Sequence, residues 1–312
     1  MLPRLVVVVP CYNEQEVIPV SGPVFIDAIS ELVEKGLVSD DSYALLVDDG
    51  SRDETWSLIA QLAASSSRVQ GVKLSRNRGH QIAVYAGIAN AQGDLVVTID
   101  ADLQDDPAVI ELMVRRHLKD GCDVVYGVRA DRETDTVFKR TTAEWYYKLL
   151  KKMGVEVVHN HADFRLMSRR AVDSFLEYKE VNLFLRGLVP MLGYKSGIVE
   201  YSRSERSAGE SKYPLAKMLS LAWEGITSLS IRPLRFITAL GVVISMLAFA
   251  TSIFAFGAAI AGVSVEGWAS VIIAITFFGG VQLFALGLIG EYIGKLYLEA
   301  KHRPKYFVEE RT

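Results

Sequence analysis

The chain has 312 residues, 50% of them hydrophobic and 23% charged, with a formal net charge of −3 at pH 7. That length exceeds one minimal domain and suits one globular domain with something attached, while the near-neutral charge gives no basic field for nucleic acid. Two cysteines, Cys11 and Cys122, stand in no C-x-x-C spacing, which argues against a disulfide or thiolate–metal framework and for a reducing compartment.

Leu5 to Val9 is an all-apolar, valine-rich run that reads as a central strand covered on both faces. It is too short for a secretory signal and runs straight into Pro10. PCYNE follows, then a helix over much of Glu14 to Lys35. Tyr43 to Val47 is a second strand ending in Asp48-Asp49-Gly50-Ser51, and Asp53 and Thr55 open a helix through about Ala64. Val69 to Leu74 is a third strand. Asn77 to Ala91 is helical, with Ala83, Ala86, Gly87 and Ala89 forming a small-residue face for close packing. Leu95 to Ile99 is a fourth strand, Ala108 to Lys119 a helix and Asp123 to Tyr126 a fifth strand. This alternation predicts an α/β fold with a mostly parallel, doubly wound sheet.

Beyond residue 127 the pattern loosens. Ala130 to Lys139 reads as a mobile loop, Thr141 to Lys152 as a helix, His161 to Leu176 as a strand then a helix, and Ile198 to Tyr201 as a late edge strand. Arg203 to Pro214 is polar and flexible by composition. From Leu215 to Ile231 apolar residues recur at helical spacing, which predicts an amphipathic interfacial helix over 214–231. Phe236 to Val265 carries no charge, and neither does Gly267 to Gly290. Each run exceeds the roughly 20 apolar residues that cross a bilayer, so a transmembrane hairpin is expected over 232–294, with spans at about 234–261 and 268–293. Arg232, Arg235, Lys295, Lys301, Arg303 and Lys305 flank its outer ends, and the short turn has no basic residue. The positive-inside rule then places residues 1–213 and a tail at 295–312 in the cytoplasm, beneath the inner membrane.

Leu95 to Pro107, LVVTIDADLQDDP, organises the chemistry. Strand ends of a parallel sheet converge, and ligands bind there. Pro10-Cys11-Tyr12-Asn13-Glu14, Asp48-Asp49 and Asp100-Ala101-Asp102 should therefore meet on one edge. Tyr12 can pack on a flat ring, Asp48 or Asp49 can accept from a base or ribose, and Asp102 with Gln104 can hold a hard cation on a diphosphate. Taken singly, each acidic residue also fits a turn or cap, with Asp106 as N-cap and Pro107 at N1. No G-x-G-x-x-G follows any strand and no G-x-x-x-x-G-K-[ST] occurs, which weighs against a dinucleotide dehydrogenase and a P-loop NTPase. His159 and His161, two apart with no third partner nearby, read as incidental.

PCYNE, VDDGSRDET, SRNRGHQIAVYAGIANAQGD, DADLQDDP, ADFRLMSR and RSAGESKY, in that order from Val6 to Tyr213, resemble the family 2 glycosyltransferases of the GT-A fold. Within them the chain is similar to the polyisoprenyl-phosphate glycosyltransferases, a group that includes the dolichol-phosphate mannose synthases and the bacterial undecaprenyl-phosphate (bactoprenol) glucosyltransferases used in O-antigen modification. The two-span hairpin resembles the bacterial branch.

The resemblance implies an inverting transfer of a sugar, most readily glucose from UDP-glucose, to undecaprenyl phosphate. It implies Mg²⁺ or Mn²⁺ at Asp102 and Gln104, and a nucleotide lined by Pro10, Tyr12, Glu14, Asp48, Asp49, Asp100 and Ala101. Arg129, Arg140, Arg206 and Lys212 would hold phosphates, and Asp163 would stand near the acceptor as a base or a positioning group. Asp102 and Asp163 are thus the expected catalytic pair. Thr141 and Thr142 stand near where relatives often carry a serine, which leaves a hydroxyl contact to the acceptor unplaced. A homotetramer is implied as well. GDP-mannose, UDP-N-acetylglucosamine and UDP-aminoarabinose fit the same scaffold as donors. A processive synthase would carry Q-x-x-R-W, which is absent, and a non-catalytic membrane scaffold would not need the intact DADLQ set.

Overall fold

The computed structural model describes residues 1–129, 161–181, 183–201, 227, 230–261 and 267–312. β1 (Leu5–Cys11) is buried along its whole length. It lies between β2 (Tyr43–Asp48) and β4 (Leu95–Thr98), parallel to both. β3 (Val69–Leu74) extends the sheet parallel to β2. Because side chains alternate across a strand, Leu5, Val7 and Val9 face one core layer and Val6 and Val8 the other. The first layer is covered by α1 (Ile18–Glu34), α2 (Thr55–Ser65) and α4 (Val109–Asp120). The second is covered by α3 (His80–Asn90), α5 (Arg169–Leu176) and α6 (Leu185–Met191). Each of these fully buried valines or leucines contributes about 1.5–3 kcal/mol, and two-sided burial is why β1 needs no alternation in its sequence.

The far half of the sheet comes from β5 (Val124–Arg129), β6 (His161–Ser168) and β7 (Ser196–Tyr201). β6 runs antiparallel between β4 and β5, and β7 pairs parallel with β5. The late strand expected at Ile198 to Tyr201 is thus present at this edge. With β8 (Val308–Arg311) the order is β7-β5-β6-β4-β1-β2-β3-β8.

The small-residue face of α3 is present except at one position. Ala83, Ala86 and Gly87 are buried, and a Cβ on Gly87 would run into Val8 Cγ1, but Ala89 points to solvent. α3 starts at His80 rather than Asn77, because the backbone turns at Gly79 with φ +90° before the helix begins.

α7 (Arg232–Ile260) and α8 (Trp268–Ala300) are the two apolar helices expected from the sequence. At about 1.5 Å per residue, both are longer than a bilayer core of about 30 Å. Within the expected tail at 295–312, residues to Ala300 continue α8 and Val308–Arg311 join the sheet. α8 continues to Ala300, Glu299 Oε1 accepts a hydrogen bond from Val181 N at 2.7 Å, and β8 pairs antiparallel with β3. An edge strand presents unpaired backbone groups, and the returning tail satisfies those of β3. The amphipathic segment 214–231 lies outside the described residues apart from Thr227, Ser230 and Ile231.

Candidate active site

The carboxyl ends of β4, β1 and β2 bring three loops to one edge of the sheet. Cys11 pairs with Asp48, Asp49 N donates to Cys11 O at 2.8 Å, and Ile99 N donates to Val8 O at 3.1 Å. The first two loops are laced together. Asn13 N donates to Ser51 Oγ at 2.9 Å, Arg52 N to Asn13 Oδ1 at 3.0 Å, and Glu14 N to Thr55 Oγ1 at 2.8 Å. Asn13 sits at φ +53°, a region in which asparagine is enriched.

Between these loops and the start of α3 lies a cleft of about 280 Å³. Four expected residues line it, Pro10, Tyr12, Glu14 and Asp49, together with Cys11, Asn77, Gly79, His80 and Ala83. Tyr12 is 41% exposed and stands at the rim, free to cover a planar ligand. Asp49 Oδ1 and Oδ2 accept from Arg78 N and Gly79 N, both at 2.8 Å. Burial pushes the Asp49 carboxyl up, and these two amides oppose that rise.

Three expected lining residues stand outside this cleft, Asp48, Ala101 and Asp100, the last beside His80 on the same sheet edge. Asp48 is fully buried beneath the turn, its Oδ1 accepting from Ser51 N at 3.0 Å and its Oδ2 without a hydrogen-bond partner among the described residues. Ala101 is packed into the core layer shared with α1 and α4.

The acidic loop after β4 is held in a strained shape. Asp102 Oδ1 accepts from Gln104 N at 3.2 Å, and Leu103 between them adopts φ +54°, a conformation that costs an aliphatic residue of order 1–3 kcal/mol. Asp105 is buried and accepts from Tyr201 OH at 2.5 Å. Asp106 Oδ1 takes Ala108 N at 2.9 Å, so it serves the start of α4 rather than the site. Gln104 is 3% exposed, and its Oε1 has no hydrogen-bond partner among the described residues. A carboxylate and an orphaned amide oxygen two residues apart in sequence are hard donors of the kind Mg²⁺ or Mn²⁺ takes. Among the described residues no group of three His, Cys, Asp or Glu side chains could ligate a metal.

Asp163 reaches the same edge from β6. Thr98 Oγ1 on β4 donates to its carbonyl at 2.5 Å. Arg165 Nη2 lies 2.9 Å from Asp163 Oδ1, and Arg186 Nη2 lies 3.0 Å from Oδ2. Burial would raise this carboxyl, but Arg186 and Arg165 outweigh it and hold it well below the usual carboxylate range. Arg165 is 1% exposed and also donates to Leu185 O at 3.2 Å. His80 completes the cluster, its Nε2 standing 3.6 Å from Asp100 Oδ1 and 3.8 Å from Asp163 Oδ2. Burial raises the Asp100 carboxyl; His80 opposes this, while Asp163, Asp102 and Asp105 add to it.

Of the expected phosphate ligands, Arg129 ends β5 opposite Tyr201, while Arg140, Arg206 and Lys212 lie outside the described residues, as do Thr141 and Thr142. Sequence reasoning assigned no role to His80, Arg165, Arg186 or Tyr201. Arg165 was within reach of it, since residues two apart on a strand share a face and Arg165 follows Asp163 at that spacing.

The sheet edge thus gathers several carboxylates, an exposed aromatic ring and an amide oxygen suited to a hard cation. The glycosyl transferase family 2 model matches residues 6–176, and the chain belongs to that family; it is a glycosyltransferase built on an α/β GT-A sheet. It is 50% identical over 310 residues to the uncharacterized glycosyltransferase YkoT of Bacillus subtilis (strain 168), covering 98% of this chain and 91% of that one. It is 41% identical over 308 residues to the prophage bactoprenol glucosyl transferase homolog of Escherichia coli (strain K12), and likewise to the bactoprenol glucosyl transferase of Shigella phage SfV, covering 98% of both chains in each case. Among solved structures, a glucosyl-3-phosphoglycerate synthase from Mycobacterium tuberculosis in complex with Mn²⁺, UDP and glucosyl-3-phosphoglycerate aligns over 73% of this chain and 78% of that one, at 20% identity and a TM-score of 0.45.

Proposed function

We propose that the chain transfers glucose from UDP-glucose to the phosphate of a membrane polyprenol, undecaprenyl phosphate, with inversion at the anomeric carbon. The observation that carries this reading is the meeting of Asp49, Asp100, Asp102, Gln104 and Asp163 on one sheet edge of a chain that also has two long apolar helices. Relatives at about 40% identity named bactoprenol glucosyl transferases support the choice of sugar and lipid.

In this reading Pro10, Tyr12, Glu14 and Asp49 receive the nucleoside, with Asp100 at the sugar diphosphate. Asp102 and Gln104 hold Mg²⁺ or Mn²⁺, which when bound offsets negative charge on the leaving diphosphate. A phosphate monoester is mostly dianionic at pH 7, its second pKa being about 6, so the acceptor is its own nucleophile. Asp163, held ionised by Arg165 and Arg186, works as a fixed anion that orients groups around the acceptor and not as a base. Arg129, Arg140, Arg206 and Lys212 are assigned to phosphates, since a guanidinium grips them bidentately and a lysine ammonium binds them as a point charge.

The apolar helices are assigned to the membrane. The stretches Arg232–Thr251 and Phe277–Ala300 have mean hydropathies of 1.9 and 1.4, with 0% and 6% of their apolar windows buried, which supports a membrane assignment over a packed core. The basic flanks support a cytoplasmic catalytic domain under the positive-inside rule, where 214–231 would lie along the interface and bring the site to the lipid phosphate. The chain acts as a homotetramer in this reading.

The test is transfer of radiolabelled sugar to undecaprenyl phosphate by purified protein with Mg²⁺, from UDP-glucose, UDP-N-acetylglucosamine, UDP-aminoarabinose and GDP-mannose in parallel. Glucose is expected to transfer fastest. Preference for another donor would overturn the glucose assignment, and no transfer from any would overturn the acceptor.

A further inference from the structure

The segment that leaves α8 does more than cover the edge of the sheet. It runs beside the loop between β3 and α3, which forms one wall of the cleft. Ser75 N donates to Phe307 O at 3.0 Å, and Arg78 Nε donates to Lys305 O at 2.8 Å. The same Arg78 offers its backbone N–H to Asp49 Oδ1, and Gly79, at φ +90°, offers its own to Oδ2. One residue therefore ties the tail at one end to the cleft carboxylate at the other. The loop is also pressed against the β2 turn, where a Cβ on Gly50 would meet Asn77 N at 2.6 Å.

The tail is itself fixed on several sides. Lys305 Nζ donates to Tyr178 O at 3.1 Å and sits 4.0 Å from the centre of the Tyr85 ring. Tyr306 OH accepts from Asn90 Nδ2 at 3.1 Å. Upstream, Glu299 in the last turn of α8 accepts from Val181 N. These contacts make the path from the end of α8 to Asp49 continuous, through Lys305 and Arg78.

We propose that Arg78 is a positioning residue of the nucleotide cleft and that the Lys305 carbonyl is its anchor, so that the tail following the hairpin is a working part of the donor site. Arg78 acts through Asp49 and Gly79, setting the wall that His80 continues. The inference rests on the reading of this cleft as a nucleotide site.

The experiment is calorimetric titration of the full-length protein in detergent with UDP and with GDP, each with Mn²⁺, followed by kinetics with the corresponding sugar donor. Three variants are compared with wild type: Arg78→Ala, a truncation that ends at Pro304, and Trp56→Phe. The last removes the bond from Trp56 Nε1 to Glu310 Oε2, at the far side of β8 from the cleft. Arg78→Ala and the truncation are each expected to weaken nucleotide binding and raise KM about tenfold, the scale of one lost charge-assisted hydrogen bond, with kcat within about twofold. Combined, they should weaken nucleotide binding no further than either alone, since the link common to both is the one between Arg78 and Lys305. Trp56→Phe should lower Tm and leave affinity unchanged. If wild type binds nucleotide and Arg78→Ala binds it equally well, the proposal is overturned while the cleft assignment stands. If Trp56→Phe loses affinity to the same degree, the tail is only a staple and the proposal is again overturned. If wild type binds neither nucleotide, the cleft reading and the proposal fall together.

Discussion

Arg186 meets Asp163 through both ends of its guanidinium, Nη2 lying 3.0 Å from Oδ2 and Nε 3.3 Å from Oδ1. Arg165, buried below, takes Oδ1 as well. A carboxylate gripped in this way is an anchor for other groups rather than an exchanger of protons. Because its carboxyl is held below the usual carboxylate range, it stabilises the fold above its unfolded pKa and loses that effect only as pH falls through the lower folded value. The pH–rate profile above about pH 4, the ordinary carboxylate range, should therefore show no acidic limb due to Asp163. Asp163→Asn should lower kcat by about 10²-fold, the scale for a mispositioned reacting group, without moving the profile. A limb that disappears in Asp163→Asn would identify a base.

Tyr201 anchors the acidic loop through Asp105, and both side chains are buried. Tyr201→Phe removes that donor and should destabilise the protein by about 1–3 kcal/mol. The same change should weaken Mn²⁺ binding, because the loop carrying Asp102 and Gln104 loses a support. Thermal melts and metal titration on the one variant check both effects.

Asp48 gives a prediction of opposite sign. Burial raises its carboxyl above the ordinary carboxylate value, with Ser51 and Lys73 opposing. A raised folded pKa means that stability falls as pH rises from the unfolded pKa to the folded one. Asp48→Asn keeps an oxygen for Ser51 N and removes the charge, so it should melt higher than wild type at pH 7. The difference should shrink toward pH 4. A fall in Tm at pH 7 would contradict this.

Gly87 tests the close approach of α3 to the sheet. Its Cβ position is already taken by Val8 Cγ1, so Gly87→Ala should destabilise by about 1–3 kcal/mol through overpacking, against the gain in helix propensity that alanine brings elsewhere. Denaturant titration measures the sign directly.

The elements before residue 129 could be read from sequence because parallel strands buried on both faces leave unbroken apolar runs, as in LVVVV and LVVT. The acidic loops were legible for a related reason, since Asp48, Asp49 and Asp100 follow those runs directly. β8 was not, because VEER is an exposed edge strand held by backbone pairing with β3 and leaves no apolar signature. Asp48 was placed at the cleft by its position at a strand end and Ala101 by the family resemblance, whereas the structure buries both side chains in the interior. Arg186 comes from a short helix far along the chain, and only the fold brings it to Asp163.

The central claim is that Asp102 and Gln104 hold the cation that carries the sugar diphosphate. Its most direct test is the anomalous signal of Mn²⁺ in crystals of the protein grown with UDP. The account predicts one peak within about 2.0–2.2 Å of an Asp102 oxygen and Gln104 Oε1, a distance typical of small hard cations, with the diphosphate beside it. A peak or a diphosphate remote from residues 100–104 would contradict it.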